Sequence, residues 1–339
     1  MKQNKPAFNE FKGKNVLFIT TKNTDYIRNT QEIEAIKSVA STVFVLGYAS
    51  KGYVSRLIRI YLRLLFMSLT SFDAVFVGFA PQLILPIFRF RFKGKLVAED
   101  FFISVYDTMV SDRKKVKAGS LAAQLMHRID KKTLDSASII VADTHAHADF
   151  FVNEFGADAN KMRVIYLKAD KSVYFPRKKV HPTLPPNSGG KLTVLYFGSI
   201  LPLQGTEVIL ECIRLMKDSS EIMFDIIGPV SDEEILKCSG CNVNFTEWLT
   251  QSDLAERIAA ADLCLAGHFN AEIGKASRTI PGKAYIYESM GKPMILGDNP
   301  ANRELFKEDN VSHYFVGMGD ARKLKDKILI AAKSMRLGL

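Results

Sequence analysis

Residues 192–229 read LTVLYFGSILPLQGTEVILECIRLMKDSSEIMFDIIGP. The stretch opens and closes with short apolar runs, LTVLYFGSI (192–200) and MFDIIGP (223–229), and a helical pattern lies between them. Short unbroken apolar strands separated by helices indicate a parallel sheet that is covered on both faces. This part of the chain therefore predicts a doubly wound α/β domain.

The same alternation extends in both directions along the chain. The further strand candidates are NVLFIT (15–20), TVFVLG (42–47), DAVFVGF (73–79), KLVAED (95–100), SIIVADT (138–144), MRVIYL (162–167), NVNFTEW (242–248), DLCLAGH (262–268), PMILGD (293–298) and HYFVGM (313–318). Residues 120–137 read as a helix between two of them, and ARKLKDKILIAAKSMR (321–336) reads as a last amphipathic helix.

A linker divides the strands into two sets. Residues 175–191, FPRKKVHPTLPPNSGGK, are rich in Pro, Gly, Ser and Lys, which is typical of a connecting segment. The 339 residues exceed what one core usually organises. We predict a first Rossmann-like domain (1–176), a linker (177–190), a second Rossmann-like domain (191–320) and a terminal helix (321–339). Since ligands of open parallel sheets bind beyond the carboxyl ends of the strands, the cleft between the domains is the expected site.

The positive charge is concentrated in the first half of the chain. Residues 1–180 hold 29 Lys and Arg against 16 Asp and Glu, whereas residues 181–339 hold 17 against 20. The first half is therefore expected to meet any polyanionic partner. Nucleic acid would suit a basic face, but the sequence contains no nucleic-acid recognition motif, so we do not expect it as a partner.

Neither a membrane span nor a metal site is predicted. Residues 1–14 are polar, and the most apolar helix candidate, residues 54–69, is interrupted by Arg56, Arg59 and Arg63, whereas a span needs about 20 apolar residues. Cys238 and Cys241 have metal-ligand spacing, but no second pair completes a site. Reduced intracellular thiols and no cofactor are the expectation.

A helix start near residue 281 carries unusual charge. Residues 277–293 read SRTIPGKAYIYESMGKP, and Pro281 suits the first turn of a helix because that turn needs no N–H donor. Lys275, Arg278 and Lys283 crowd this start, which is unfavourable at a positive helix end unless an anion joins them. A solvated basic loop is the alternative, but convergence at a strand end favours a diphosphate site.

Two other strand ends could contribute to this site. Gly198 and Gly205 in YFGSILPLQG (196–205) bracket a turn whose N–H groups could approach a phosphate, although glycines at strand ends are usually only turns. The backbone of TEWLTQSD (246–253) could contact a nucleobase beside Trp248.

These segments resemble the family 4 glycosyltransferases of GT-B fold. Arg278-Thr-Ile-Pro281-Gly-Lys283 and Gly291-Lys-Pro293 are similar to the sub-group motif R-x-I-P-N-K-x-x-E-A-L-A-x-G-K-P. GDNPANRELF (297–306), FGSILPLQG (197–205), EDFFISVYDTMVSDRKK (99–115) and VADTHAHADFF (141–151) resemble other signatures of this sub-group.

The resemblance implies the GT-B fold and a retaining sugar transfer from a nucleotide-sugar donor, UDP-linked in our expectation, bound on the second domain. The acceptor, a glycan or lipid-diphosphate-linked molecule, would bind on the first domain. We expect the donor to contact Gly198, Ser199, Gly205, Trp248, Gly274, Lys275, Arg278, Lys283 and Glu288. The sequence has no D-x-D triplet, so protein cations rather than a metal are expected to neutralise the leaving diphosphate.

One departure from the motif concerns the donor ribose. The family places a glutamate five residues before the glycine of G-K-P, where it holds the ribose hydroxyls, and this chain has Ile286 there. Glu288 lies two residues later, about 200° around the helix, and points elsewhere. Isoleucine cannot accept a hydrogen bond, so Glu288 or Glu272 is the nearest replacement in the sequence.

The catalytic candidates are Glu272, Asp100 and His145. Glu272 resembles the acidic residue that faces the donor sugar in E-x-G variants. Asp100, like Asp107, follows a first-domain strand, where it either holds an acceptor hydroxyl or caps the next segment. His145 and His147 follow SIIVADT, and a histidine there either makes a local hydrogen bond or faces the donor pyrophosphate.

Basic residues of the first domain also predict a membrane contact. Arg56, Arg59 and Arg63 lie within about a 60° arc of a helix, and this arc is either the edge of a packed helix or a surface on lipid headgroups. Arg89 and Arg91 in RFRFKGK (89–95) add to the second interpretation. We therefore expect a glycosyltransferase of envelope or capsule glycan synthesis, peripheral at the cytoplasmic membrane face. The alternative is a catalytically silent GT-B protein that binds a glycan or partners an active transferase.

Overall fold

The computed structural model describes residues 8–49, 52–177 and 191–337. It divides into two compact units, unit 1 (Met1–Leu167) and unit 2 (Lys168–Leu339). Each unit contains a six-stranded sheet. All the strand pairs are parallel. Except for Arg177, the predicted linker (177–190) lies outside the described residues.

All twelve predicted strands are present, and the predicted α/β fold class is confirmed. Unit 1 has the order β2-β1-β3-β4-β5-β6, and unit 2 has the order β12-β11-β10-β7-β8-β9. The strands are β1 (Asn15–Ile19), β2 (Thr42–Leu46), β3 (Ala74–Val77), β4 (Leu96–Asp100), β5 (Ile139–Ala142), β6 (Met162–Val164), β7 (Leu192–Phe197), β8 (Ile222–Ile227), β9 (Val243–Thr246), β10 (Leu263–Gly267), β11 (Met294–Gly297) and β12 (His313–Val316).

Helices connect the strands and cover the sheets. They are α1 (Ile27–Lys37), α2 (Tyr53–Phe66), α3 (Leu85–Phe88), α4 (Leu121–Ser136), α5 (His145–Phe155), α6 (Thr206–Leu215), α7 (Asp232–Lys237), α8 (Gln251–Ala260), α9 (Gly274–Arg278), α10 (Gly282–Ser289), α11 (Pro300–Leu305) and α12 (Ala321–Leu337). The helix predicted at 120–137 is α4, with the Ser120 side chain capping its first turn.

The central strands of the unit 1 sheet, β1, β3, β4 and β5, are buried on both faces, as their unbroken apolar runs predict. Successive side chains of a strand point to opposite faces. Accordingly, Leu17 and Ile19 of β1 pack in one core cluster with Ile60 of α2. Val16 and Phe18 pack in a second cluster with residues of α1. Because both faces are buried, a ligand or partner can contact only the strand ends and the outer surfaces of the helices.

In unit 2, the last helix forms part of the core. Ile328 of α12 packs with Val194 of β7 and Ile209 of α6 in one buried cluster. Elsewhere in the unit, the ring of Tyr287 on α10 packs edge-on against Phe197 at 5.6 Å. Because Tyr287 is buried, the face of α10 that carries it packs against the sheet, and only the residues on the other faces of α10 remain accessible.

The arginine face predicted for residues 54–69 is divided in the structure. Arg59 and Arg63 of α2 are exposed. Arg56 is buried, donates from Nε to the Thr21 carbonyl at 3.4 Å and lies over the Tyr53 ring. The interpretation of all three arginines as a surface on lipid headgroups is wrong for Arg56, because its side of the helix packs on the segment that follows β1.

Candidate functional site

The strands β10, β7 and β8 are neighbours in the middle of the unit 2 sheet, and their carboxyl ends lie side by side. We call the side of the sheet where the parallel strands end its carboxyl edge. Gly198 and Gly228 follow β7 and β8 there, and the Gly198 N–H donates to the Ile227 carbonyl at 2.9 Å. A Cβ on Gly228 would lie 2.2 Å from the Gly198 carbonyl oxygen. Since such a contact is impossible for any side chain, glycine is required for the two strand ends to approach.

The turn after β7 packs closely on the turn after β10. Gly205 has a φ of 68°, and a Cβ on it would lie 2.6 Å from the main chain of Phe269 and Asn270. The Phe269 N–H donates to the Gln204 carbonyl at 3.1 Å. A glycine that supplies both the left-handed conformation and the close approach fixes Gln204 beside β10.

Lys283 reaches into this junction from α10. The residue is 6% exposed, and its ammonium group donates to Oε1 of Gln204. Nζ lies 4.6 Å from the centre of the Tyr196 ring. It is also 3.4 Å and 3.0 Å from where a Cβ would stand on Gly198 and Gly267. The absence of these two side chains opens the space around Nζ.

The Lys283 amine is buried without a compensating anion. No carboxylate among the residues that the structure describes forms an ion pair with it, and burial lowers its pKa from 10.5 to about 7. An amide oxygen and an aromatic face stabilise an ammonium ion less than a carboxylate or phosphate does. This position can therefore accept an anion that enters beside Gly198 and Gly267.

The other two predicted cations do not belong to the same helix. Lys275 and Arg278 lie in the last turn of α9, a five-residue helix, whereas Lys283 is the second residue of α10. Pro281 is the N-cap of α10 rather than a first-turn residue. The prediction of one helix start with three cations is wrong, because residues 274–278 form a helix of their own. Gly274, at its start, lies against the Arg278 guanidinium.

Other predicted donor contacts lie at the same edge of the sheet. Ser199 follows Gly198 and is exposed. Glu272 lies in the exposed loop after β10, with its N–H held by the Asn270 side chain at 2.8 Å. Trp248 follows β9 and is 59% exposed. The structure thus places these three residues beyond the carboxyl ends of β7, β10 and β9, which belong to the same sheet.

Glu288 is not brought to this edge. It lies near the end of α10 and pairs with Nε2 of His313 at 2.8 Å, and His313 is the first residue of β12. The amino ends of parallel strands lie at the opposite edge from their carboxyl ends, so Glu288 is remote from Lys283. Ile286, one turn from Lys283, is partly exposed.

In unit 1, Asp100 is an internal ion-pair residue. Both of its oxygens accept from Arg28 at 2.6 Å, and Glu32 lies 3.6 Å from the same guanidinium. Burial lowers the pKa of Arg28, but the carboxylates of Asp100, Glu32 and Asp143 together outweigh this effect and the pKa is raised. Asp100 therefore neither caps a helix nor meets solvent. Asp107, also buried, begins the π-helical segment Asp107–Asp112.

A carboxylate–histidine pair lies at the end of β5. Nδ1 of His147 is 2.6 Å from Asp143 Oδ1, and Nε2 is buried with no hydrogen-bond partner among the residues that the structure describes. Burial raises the pKa of Asp143, but His147 and Arg28 together with a backbone hydrogen bond outweigh it and leave the pKa lowered. His145 is exposed beside Tyr166. We predicted neither Arg28 nor Asp143. The i,i+4 spacing of Asp143 and His147 was the available signal.

Two further features concern metals and membranes. Within residues 8–49, 52–177 and 191–337, no group of three metal-ligating side chains comes together. All four cysteines are free thiols, three of them buried. None of the described helices combines the length and apolarity that a transmembrane segment requires.

Two units, each with a six-stranded parallel sheet covered by helices, define a two-domain α/β protein of GT-B architecture. The structure is similar to that of Anabaena HepE in complex with UDP, at 14% identity and a TM-score of 0.63 over 95% of this chain and 90% of HepE. It is also similar to sucrose-phosphate synthase from Thermosynechococcus elongatus, at 11% identity and a TM-score of 0.63 over 94% and 90%. A UDP-forming trehalose-phosphate synthase from Burkholderia xenovorans gives 9% identity and 0.61 over 94% and 90%.

A family model identifies unit 2 more specifically. Residues 191–334 match the model for Glycosyl transferases group 1. Comparison with curated protein sequences gives no match. The matched domain and the GT-B architecture together identify the protein as a glycosyltransferase.

Proposed function

We propose that the protein transfers a sugar from a UDP-sugar to a glycan or lipid-linked acceptor in envelope or capsule polysaccharide synthesis, with retention of anomeric configuration. The observation that carries the donor part is the buried, uncompensated amine of Lys283 between Gly198 and Gly267. The family resemblance implies that this anion is a nucleotide diphosphate. UDP is supported by HepE, which has been crystallised with UDP.

The proposed chemistry is displacement on the front face of the sugar. Lys283 stabilises the departing diphosphate, whose oxygen takes the acceptor proton as the new glycosidic bond forms. Lys275 and Arg278 on α9 supply further positive charge, and Trp248 and Glu272 contact the base and the sugar. The protein's own cations take the charge-neutralising role, so the proposal includes no metal cofactor.

We also propose that the acceptor binds unit 1 and that the protein works as a peripheral protein at the cytoplasmic face of the cell membrane. The excess of Lys and Arg in residues 1–180 supports this location, because lipid-diphosphate acceptors and headgroups are anionic. A catalytically silent protein is the alternative, favoured by Ile286 at the ribose-binding position of the motif.

Isothermal titration with UDP tests the donor site. In Lys283→Met, the loss of a charge-assisted contact of about 1.5–3 kcal/mol should lower UDP affinity at least tenfold. The matched control is Lys292→Met. Lys292 lies just before β11, at the amino ends of the strands, and donates to the Ala259 carbonyl there. Unchanged UDP affinity in folded Lys283→Met would remove Lys283 from the donor site, and GDP binding in preference to UDP would correct the base.

A further inference from the structure

The outer face of α2 is apolar. Val54, Ile58, Leu62, Leu65 and Phe66 are all exposed, Phe66 by 83%. At 100° per residue these five side chains lie within about a 120° arc. Ile60 and Leu64 on the inner face are buried in the core. Single apolar residues on a surface are ordinary, but a continuous stripe along one helix is not.

A second segment extends this stripe. α3 and the turn after it, Arg89–Phe92, expose Ile87 and Phe90, the latter by 67%. This segment is joined to α2 at two places. The Tyr61 hydroxyl donates to the Leu83 carbonyl at 2.5 Å, and Arg91 donates to the Met67 carbonyl at 2.7 Å. We call the exposed side chains of Ile58, Leu62, Leu65, Phe66, Ile87 and Phe90 the α2–α3 surface.

Positive charge surrounds the α2–α3 surface. Between Glu34 and Glu99 the sequence contains nine Lys and Arg but only one acidic residue, Asp73. Arg59 and Arg63 lie next to the apolar arc of α2 and are exposed, as is Lys93. Arg89 donates to the Ser136 carbonyl at 2.8 Å, and both Arg89 and Arg91 flank Phe90 in the sequence.

We infer that the α2–α3 surface inserts into an anionic lipid bilayer. The apolar side chains would enter the boundary between headgroups and acyl chains, and the arginines would contact lipid phosphates. Two copies of this surface facing each other would bring like charges together, which disfavours self-association. The 14-residue α2 is too short to cross the bilayer. The inference deepens the proposed function by naming the surface that meets the membrane.

Co-sedimentation with vesicles tests the inference, using phosphatidylcholine alone or mixed with phosphatidylglycerol. The wild type should bind the mixed vesicles and not the neutral ones. Both Phe66→Gln/Phe90→Gln and Arg59→Gln/Arg63→Gln should weaken that binding at least tenfold. The control Leu121→Gln/Leu125→Gln removes two exposed leucines from α4 and should bind as the wild type does. UDP titration of each variant separates failure of this inference from failure of the donor site.

A tryptophan reporter distinguishes insertion from adsorption. In Trp248→Phe/Phe66→Trp, the single tryptophan should shift to shorter emission wavelength on anionic vesicles and be quenched by brominated acyl chains. Binding to anionic vesicles without quenching, or binding lost only in the arginine variant, would overturn insertion. A concentration-dependent dimer that Phe66→Gln/Phe90→Gln abolishes, with no vesicle binding by the wild type, would make the surface a self-association interface.

Discussion

Among single residues, Lys283 links the stability of the protein to its function. A lysine buried without a counter-ion costs stability, because its charged form loses hydration that Gln204 and Tyr196 only partly replace. We expect Lys283→Met to raise the stability of the ligand-free protein at pH 6 by at least about 1 kcal/mol, or roughly 2–4 °C in Tm. Differential scanning calorimetry without UDP measures this gain.

The gain should depend on pH in a defined direction. The folded pKa of Lys283 is lowered to about 7 from 10.5, so between these values the unfolded chain binds more protons and the wild type gains stability as pH rises. Below pH 7 both states are protonated and the cost is constant. The advantage of Lys283→Met should therefore be largest below pH 7 and shrink towards pH 10. A Met variant less stable than the wild type at every pH would indicate a structural lysine.

At the scale of elements, the two ends of α10 differ: its first turn carries the candidate phosphate ligand Lys283, and its last turn carries a structural ion pair. Lys283 in its first turn lies at the carboxyl edge of the sheet, and Glu288 near its end pairs with His313 at the amino edge. Ile286 lies between them and is partly exposed, so a glutamate there would not be forced into the core. This placement makes Ile286 the position from which α10 could reach a ribose.

We expect Ile286→Glu to raise UDP affinity several-fold. The carboxylate could accept hydrogen bonds from two ribose hydroxyls, each contributing about 0.5–1.5 kcal/mol net. Titration with UDP measures the gain, and Glu288→Gln is the matched control that should leave affinity unchanged. A stable Ile286→Glu protein with unchanged affinity would mean that the ribose does not lie beside α10.

Elements with an unbroken signal could be predicted from the sequence, and short ones could not. Each strand is an apolar run between polar segments, which is why all twelve were recognisable. α9 has five residues, too few for a helical period to emerge, so Lys275 and Arg278 were assigned to the start of α10. The periodicity of residues 54–69 predicts a helix. Because apolar residues lie on nearly every side of this helix, the sequence does not show which face is buried. Only packing shows that Arg56 turns inward.

At the scale of the whole molecule, the sequence predicts candidate site residues at strand ends but does not predict what their side chains contact. Gly198, Gly205 and Lys283 follow from strand ends and from a family resemblance, both of which are local signals. Arg28 and Asp100 are 72 residues apart, and no periodicity couples them. The sequence therefore leaves Asp100 as either an acceptor ligand or a cap of the next segment, whereas in the structure it is the partner of a buried arginine.

Release of sugar from the donor by the protein decides between an enzyme and a silent relative. Retaining glycosyltransferases that hold a donor without its acceptor can transfer the sugar slowly to water. We expect purified protein incubated with UDP-glucose, UDP-galactose or UDP-N-acetylglucosamine to hydrolyse at least one of them. Because these donors are α-linked, a retaining front-face displacement should release the α-anomer first, and proton NMR of the anomeric signal before mutarotation measures it.

Comparison with Lys283→Met gives that experiment its control. If Lys283 stabilises the leaving diphosphate, the rate of release at saturating donor should fall at least tenfold in the variant, because the contact strengthens as negative charge develops on the diphosphate. Initial release of the β-anomer would contradict retention while leaving the enzyme assignment intact. Tight UDP binding together with no release from any of the three donors, and none when candidate glycan acceptors are added, would identify a silent GT-B protein. The substitution of Ile286 for the motif glutamate would then be part of the loss of catalysis.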